Sequence, residues 1–574
     1  MAQGTQRSLK LLDWLCLAAL VALAAAWASR PLSHDDLFGH LRAGEWMAAH
    51  RTVPTTDPFS FTRPGARWVT HEWAFSLLAW GIWLLAGYPG LIVTRVLVVL
   101  AIGAAVGWRM VADPTADARV TAETSRSIPW IAGLLGLGVW AVAAELILRA
   151  ALLSELFLAL TLVFLTRFRQ TGERRFLISL VVLFFIWGNI HSGVIFGLYV
   201  LGLFAVEGAF REKRPQPYLL TLAGAALASL VNPNGIEVWL YPFKLSRILF
   251  ASGIEWDLGH FAAADPRSNS AFLILGVLLL AGLLPLERLR EVSIAEGVAI
   301  LTFLALSFRS SRFVFHFAIL ALPVLYRLHA HRTWTTNLRR IAAVATVAVL
   351  GITAATAWLS HQRRLITPEL PEGAVRFLEA NHLQGRVFNH QNYGGFLLWR
   401  ARLPIFWDGR NDVFASLVQE ATTTPFPDVV QRYGIDFLLI TEHEYPGIEP
   451  EIPARWGLVY WDDDSAVYLR RDGPLGLQLP RLELRQFPGF GGRPGLEALA
   501  RDPQFAAAAR QELARVLAFN PENQRALYFL GVISLYQGDL QHAESALRAA
   551  QAIRPNELVD KALAVVDEMA RRGR

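Results

Sequence analysis

Two adjacent carboxylates, Asp35 and Asp36, stand a few residues beyond the first apolar run and open the stretch Ser33-His34-Asp35-Asp36-Leu37-Phe38-Gly39-His40-Leu41-Arg42-Ala43-Gly44-Glu45-Trp46. Carboxylates held at a membrane surface can take a proton from an acceptor hydroxyl, or bind a divalent cation such as Mg or Mn. An acid–imidazole pair, His71-Glu72, stands just before the apolar stretch Trp73 to Ala86 and can approach the same point. Asp57 lies between them in Val53-Pro54-Thr55-Thr56-Asp57-Pro58-Phe59-Ser60. The plainer alternative is that Asp35 and Asp36 only cap a short helix beginning at Leu37.

More polar residues fall at or near the ends of apolar runs: Asn189, His191, Asn232, Asn234, Glu255, Arg309 and Arg312, with Arg95, Arg149 and Glu155 somewhat deeper. Charge inside a membrane is costly and marks function by default. Guanidinium forks suit phosphate oxygens, so Arg95, Arg149, Arg309 and Arg312 are candidates to hold a lipid-linked phosphate. Each has a structural alternative. Glu145 and Arg149 are four apart and can simply pair. Arg309 and Arg312 can snorkel to head groups, Asn232-Pro233-Asn234-Gly235 can be only a turn, and Asp408-Gly409-Arg410-Asn411 reads as a tight turn.

These residues must be positioned by membrane helices. Of the 574 residues, 53% are hydrophobic and only 18% charged, and the mean hydropathy is +0.34. That combination points to a large membrane domain. Apolar runs fall at about 12–29, 90–108, 129–145, 147–166, 176–190, 193–208, 218–231, 270–286, 294–308, 312–328 and 341–358. This predicts about eleven crossings, some short enough to tilt or to thin the bilayer. Basic clusters at Arg167, Arg169, Arg174 and Arg175, at Arg211, Lys213 and Arg214, at Arg288 and Arg290, and at Arg327, Arg332, Arg339 and Arg340 mark cytoplasmic loops. The count puts the N-terminus inside and residues 30–72 outside only if 73–86 does not cross. That stretch is therefore expected to be re-entrant or interfacial, closed at Gly87-Tyr88-Pro89-Gly90; a twelfth crossing is the competing count.

Residues 361–475 change character. Gly385 to Asn389, Leu403 to Trp407 and Ile435 to Thr441 read as short strands, and Trp456 to Arg470 as a hairpin around Asp462 to Ser465. Pro371 to Ala380 has helical spacing. A small α/β domain outside the membrane is expected, then a linker at 476–497. From 498 to 574 the chain is helical, and Leu527, Leu530-Gly531, Gly538, Ala543, Leu547, Ala550 and Pro555 fit tetratricopeptide spacing. A plain helical hairpin is the alternative, and either must bury its face against a neighbour or a partner protein.

The first outer loop resembles that of the GT-C superfamily of membrane glycosyltransferases, whose members include protein O-mannosyltransferases, lipid A aminoarabinose transferases and oligosaccharyltransferases. Carrying the resemblance are Asp35-Asp36, the Gly39 to Trp46 segment, Val53-Pro54 with Asp57 to Ser60, and His71-Glu72-Trp73. Trp187 to Gly193, Val231 to Gly235, Ile254-Glu255-Trp256, Arg312 with His316, Tyr393-Gly394-Gly395 and Trp407 to Arg410 look like further matches to bacterial members. The resemblance implies a multi-span helical domain (residues 1–360), a catalytic Asp in the loop, and a sugar donor linked to polyprenyl phosphate or diphosphate. The chain departs from the mannosyltransferase pattern at His71-Glu72-Trp73, where that family has His followed by prolines. It also lacks the Asp-any-Asp pair that oligosaccharyltransferases use for metal.

Other chemistry is absent from the sequence. There is no phosphate loop ending in Lys-Ser or Lys-Thr, no His-Glu-any-any-His and no Gly-any-Ser-any-Gly. The single cysteine, Cys16, excludes an intramolecular disulfide. The net charge of +6 is spread through loops, which argues against a nucleic-acid partner. Basic residues that are almost all Arg suggest a bacterial, GC-rich source, and the inner membrane as location. The expected function is transfer of a sugar from a lipid-linked donor to a glycan, protein or lipid acceptor on the extracytoplasmic face. Asp36 or Asp35 would be catalytic; His71, Glu72, Asp57, Arg95, Arg149, His191, Glu255, Arg309 and Arg312 would bind substrate. A non-catalytic envelope scaffold using the helical tail, and a transporter or flippase, are the alternatives.

Overall fold

The computed structural model describes residues 2–112, 128–251, 266–329, 335–361, 364–367, 369–442, 444, 448, 452–487 and 495–572. The chain divides into two compact units. The first comprises Met1–Thr55 and Trp68–Ile366, the second Thr56–Arg67 and Thr367–Arg574.

The first unit is helical: α1 (Ala2–Ala28), α2 (Asp35–His50), α3 (Trp73–Ala112), α4 (Ile128–Ala141), α5 (Ala150–Thr171), α6 (Arg175–Ile190), α7 (Val194–Phe210), α8 (Pro215–Ser229), α9 (Glu237–Ala251), α10 (Pro266–Leu283), α11 (Ile294–Ser307), α12 (Phe313–His329) and α13 (Thr336–His361). Segments Lys10–Ala28, Trp73–Ala112, Ala150–Thr171 and Thr336–Leu359 are long and apolar enough to cross a membrane. Shorter apolar helices such as Arg175–Ile190 and Ile294–Ser307 rise only about 20–24 Å against a hydrocarbon core of about 30 Å. Side chains such as Leu85, Ile178, Val277, Leu301 and Ile341 are exposed, as lipid-facing residues are. α12 is instead buried on every side, against α3, α4, α5, α10 and α11. A helix apolar all round belongs at the centre.

Unbroken, α3 would be about 60 Å long, twice the hydrocarbon thickness. It is divided at Gly87, whose φ of 58° and ψ of −154° lie outside helical space, with Pro89 just beyond. Only glycine reaches that conformation without strain, so the predicted turn is present. The half of α3 before Gly87 carries α2. Gly44 of α2 lies directly against Ser76 and Trp80, and Phe38 meets Tyr88 edge to face at 6.1 Å.

The second unit holds α14 (Glu372–Ala380), β1 (Val387–Asn389), α15 (Asn411–Thr423), α16 (Phe426–Tyr433), β2 (Phe437–Ile440), β3 (Trp456–Trp461), β4 (Ala466–Arg470), α17 (Pro503–Phe519), α18 (Gln524–Tyr536), α19 (Leu540–Ile553) and α20 (Glu557–Arg572). The sheet order is β1-β2-β4-β3. β1 and β2 are parallel (Phe388 opposite Leu438), whereas β4 runs antiparallel to β2 and β3. Leu403 to Trp407, expected as a strand, is not one. Asn389 takes its hydrogen bonds: Phe406 N–H donates to Asn389 Oδ1 at 2.9 Å, and Asn389 Nδ2 donates to the Trp407 carbonyl at 2.9 Å. The Asp462 to Ser465 turn joins the sheet to the helical tail. The amides of Gln524 and Arg525 at the start of α18 donate to Asp463 at 2.7 and 3.0 Å.

Segment 56–67 belongs with this second unit and not with the rest of its loop. Ser60 bridges Ile405, Arg63 pairs with Glu420 at 3.1 Å, and Asp57 pairs with Arg410 at 2.7 Å.

Candidate active site

The site is built around α2. Its N-cap is His34, whose Nδ1 accepts from the Asp36 amide at 3.4 Å. The helix thus starts at Asp35 and neither acid is the cap, contrary to the helix-cap alternative. Both acids occupy the first turn, where the helix dipole favours negative charge. Successive helical residues do not face one another, so the two carboxylates leave the helix in different directions. Asp35 is buried, while the Asp36 side chain is 41% exposed.

Asp36 is the better placed of the two to meet a substrate. Burial alone would raise its carboxyl, but His34, His40, Arg149 and Arg312 together hold it below the usual carboxylate range. It is therefore ionised at neutral pH. Burial pushes the His34 and His40 rings down from the usual imidazole value.

One turn on from Asp36, on the same face of α2, His40 turns towards Glu72. His40 Nε2 lies 3.5 Å from Glu72 Oε2. Glu72 Oε1 lies 3.7 Å from His71 Nε2 and 3.5 Å from His191 Nε2. Two distant elements hold this short connection in place. Asn189 of α6 accepts from Trp73 Nε1 at 3.2 Å, and Asn234 donates to the Thr70 carbonyl at 3.1 Å. The Asn189 to Gly193 and Asn232 to Gly235 motifs thus act by positioning His71 and Glu72. Tyr241 stacks on His71 with centroids 3.8 Å apart. His191 occupies the turn after α6, where burial, then the charges of His71, Arg149, His316 and Arg312, press its ring well below the usual imidazole range. Among the described residues, the acids and imidazoles close enough to share a metal ion are His71, Glu72 and His191, with ligand atoms within 4.8 Å of one another.

The remaining expected site residues divide. Arg149 is bound to Glu145 at 2.6 Å, as the i, i+4 alternative foresaw, and Glu145 accepts from Ser311 at 2.8 Å. Even so, Arg149 and Arg312 both act electrostatically on Asp36. Arg309 is exposed. Arg95 is not a phosphate ligand: it is 2% exposed and donates to the carbonyls of Ala28 and Arg30, closing the end of α1. Asp57 is not a substrate ligand either. Its side chain is fully buried, pairing with Arg410 and accepting from the amides of Phe59 and Ser60 at 3.1 Å. Glu255 lies outside the described residues. Glu155 pairs with His316 at 2.9 Å inside the bundle. His34 and His40 were missed as site residues, although the spacing of Asp36 and His40 was the available signal.

Several solved structures are similar to this chain. The oligosaccharyltransferase of Archaeoglobus fulgidus in its apo form is 12% identical over 80% of this chain and 75% of that one, with a TM-score of 0.48. The AglB oligosaccharyltransferase of the same organism, in complex with an inhibitory peptide and a dolichol-phosphate, is 12% identical over 77% and 72%, with a TM-score of 0.47. ArnT from Cupriavidus metallidurans, bound to undecaprenyl phosphate, is 15% identical over 79% of this chain and 97% of that one, with a TM-score of 0.47. No family model matches the chain, and no curated protein matches it.

Proposed function

We propose that the protein is a membrane glycosyltransferase that moves a sugar from a polyprenyl-phosphate-type lipid donor to an acceptor hydroxyl. The observation that carries this reading is Asp36: an ionised, solvent-open carboxylate at the start of α2, with Arg149 and Arg312 acting on the same point. In an inverting transfer, Asp36 Oδ accepts the acceptor's proton as its oxygen bonds to the sugar's anomeric carbon. The bond from that carbon to the phosphate breaks on the opposite side. The leaving phosphate needs little acid help, and the guanidiniums of Arg149 and Arg312 balance its charge. A positioned base contributes about 10²–10⁴-fold. The resemblance of the first outer loop to GT-C enzymes supports the same reaction. The basic loops at the opposite end of the bundle favour the extracytoplasmic face of a bacterial inner membrane for this end.

The test is turnover of polyprenyl-phosphate-linked sugars by the purified full-length protein. Release of polyprenyl phosphate by wild type, lost in Asp36→Asn and kept in Asp35→Asn, is the expected result. Full activity in Asp36→Asn would remove Asp36 from the mechanism.

A second reading, an envelope scaffold, draws on Leu558, Val565 and Met569. These form an exposed apolar stripe along α20 on which a partner protein can dock. It requires deletion of α18–α20 to abolish function in cells while Asp36→Asn leaves it intact.

A further inference from the structure

Ser154 uses its hydroxyl differently from other hydroxyl residues of the apolar helices. Thr161, Ser179, Thr221 and Ser307 each donate to the carbonyl four residues back, the usual outlet in a helix. Ser154, buried near the start of α5, bonds across the bundle instead. Trp187 Nε1 of α6 donates to its oxygen at 2.7 Å, and Nδ1 of His191 also lies 2.7 Å from it.

Groups that can act in only one way decide where the protons are. An indole N–H only donates, so Ser154 is the acceptor from Trp187. The Gly193 backbone amide, which also only donates, reaches His191 Nδ1 at 3.0 Å. Nδ1 is therefore an acceptor, and the Ser154 hydroxyl proton goes to it. A proton on Nδ1 would instead stand head-on against the Gly193 N–H. In the neutral ring the proton is on Nε2, the ring nitrogen on the Glu72 side, 3.5 Å from Glu72 Oε1.

The surroundings are shaped for this contact. Trp187 is fully buried, held by Phe184 and Phe157 with ring centroids 5.4 and 5.8 Å away, so its N–H has a fixed direction. A Cβ at Gly193 would stand 2.7 Å from His191 Nδ1 and 2.9 Å from Ser154 Oγ, closer than real Cβ contacts come. Only glycine lets an amide and a hydroxyl meet at the same nitrogen. Ser154 is 2% exposed, out of a substrate's reach, whereas the His191 side chain keeps 21% of its surface open.

We propose that Ser154 is a positioning residue of the site: it holds His191 with the proton on Nε2, so that the ring presents an N–H donor to a substrate oxygen beside Glu72. Ser154 touches no substrate and acts through the ring, with Trp187 fixing the direction of its hydroxyl. The proposal rests on the transferase reading for its substrate, but the position of the proton is read without turnover.

The full-length protein in detergent, its histidines ¹⁵N-labelled at both ring positions, is read by NMR at neutral pH, the His191 signals being those lost in His191→Gln. A proton on Nε2 and none on Nδ1 is expected, with the Nδ1 signal shifted in Ser154→Ala. A wild-type ring with a proton on Nδ1 overturns the proposal whether or not the protein transfers a sugar. Release of polyprenyl phosphate per folded chain then reads the role. A Gln side chain places its amide near Nε2 and an Asn side chain near Nδ1, so His191→Gln should keep activity that His191→Asn loses. Ser154→Ala should cost about tenfold in the wild type, the worth of one hydrogen bond. In His191→Gln, which has no tautomer to set, it should cost less than about twofold. A merely structural serine costs the same in both backgrounds, and that result overturns the proposal. A wild type without turnover removes the transferase reading, and the spectrum alone then decides the tautomer.

Discussion

Replacing Gly44 with alanine tests whether the approach of α2 to α3 sets the site. Asp36, His40 and Gly44 follow one another at four-residue intervals, so all lie on one face of α2. A Cβ at Gly44 would stand 2.7 Å from Trp80 Cβ and 2.8 Å from the Ser76 carbonyl carbon, and closer still to its oxygen. Ordinary contact begins at 3.4 Å, and the obstacle is mostly backbone, so the helices must part by about 1 Å, a displacement that costs about 10²-fold in rate at an active site. His40 hangs from the same Ser76, so the parting carries His40 and Asp36 away from Glu72. Overpacking costs about 1–3 kcal/mol, against about 1 kcal/mol gained from alanine's better helix propensity. The net is a loss. Gly81, on the same half of α3, has nothing within 4 Å of a new Cβ, so Gly81→Ala gains the propensity without the clash. Thermal unfolding in detergent, followed by tryptophan fluorescence, should show Gly44→Ala melting below wild type and Gly81→Ala at or above it. Turnover per folded chain should fall about 10²-fold in Gly44→Ala alone. A Gly44→Ala protein as stable and active as wild type would refute the argument that this contact positions the site.

Asp57→Ala leaves Arg410 and Asp408 without their buried third partner, and should destabilise the second unit by about 3–5 kcal/mol; faster proteolysis of segment 56–67 in the full-length protein would report it. Asp464 carries a carboxyl that burial, then Asp462, raises from 3.8 to about 6. A raised carboxyl pKa means that the folded state binds the proton more tightly, so stability is full below pH 3.8 and is lost as pH rises to about 6, by no more than about 3 kcal/mol. Asp464→Asn should therefore melt higher than wild type at pH 8 and close to it at pH 4. Glu296 is buried between Arg109 and Arg327, 2.5 Å from each. Glu296→Gln leaves two buried cations uncompensated, whereas Arg327→Gln leaves one neutral pair, so by detergent melting the first should lose about 3–5 kcal/mol and the second clearly less.

The helices of the first unit were legible because a membrane demands long apolar runs, and the break at Gly87 because glycine and proline punctuate one of them. The site was half legible. Asp36, His71, Glu72 and His191 stand out as polar residues at the ends of apolar runs, and the structure gathers Glu72 with the two histidines. Arg95 and Asp57 stand out for the same reason yet serve the fold. A sequence marks a charge as costly but does not say whether its compensating partner is a ligand, a carbonyl such as that of Ala28, or a cation such as Arg410. That partner lies 67 residues away for Arg95 and 353 residues away for Asp57, beyond any local pattern. The Leu403 to Trp407 strand failed for a related reason. β-rich composition predicts a need for hydrogen bonds, but the side chain of Asn389 supplied them.

The polar residues of the first unit fall in two layers at opposite ends of the same helices. α5 runs from Ser154 at the site to Arg169, about 22 Å away; α7 runs from Val194 to Glu207, about 20 Å; and α12 runs from His316 to Arg327, about 16 Å. At the far end Glu207, Glu296 and Asp13 are each matched within the protein. Glu207 takes Arg169 at 3.2 Å and Ser293 at 2.6 Å, Glu296 takes two arginines, and Asp13 takes Arg339 at 2.7 Å. Charges so matched have no ligand left to seek, and this layer reads as structure. The site end differs in kind: the Asp36 side chain is open to solvent. Both layers carry the desolvation cost of charge near lipid, and both offset part of it internally, the site layer through Glu145 with Arg149 and Glu155 with His316. What the site layer leaves open is Asp36, the acid that a substrate can reach.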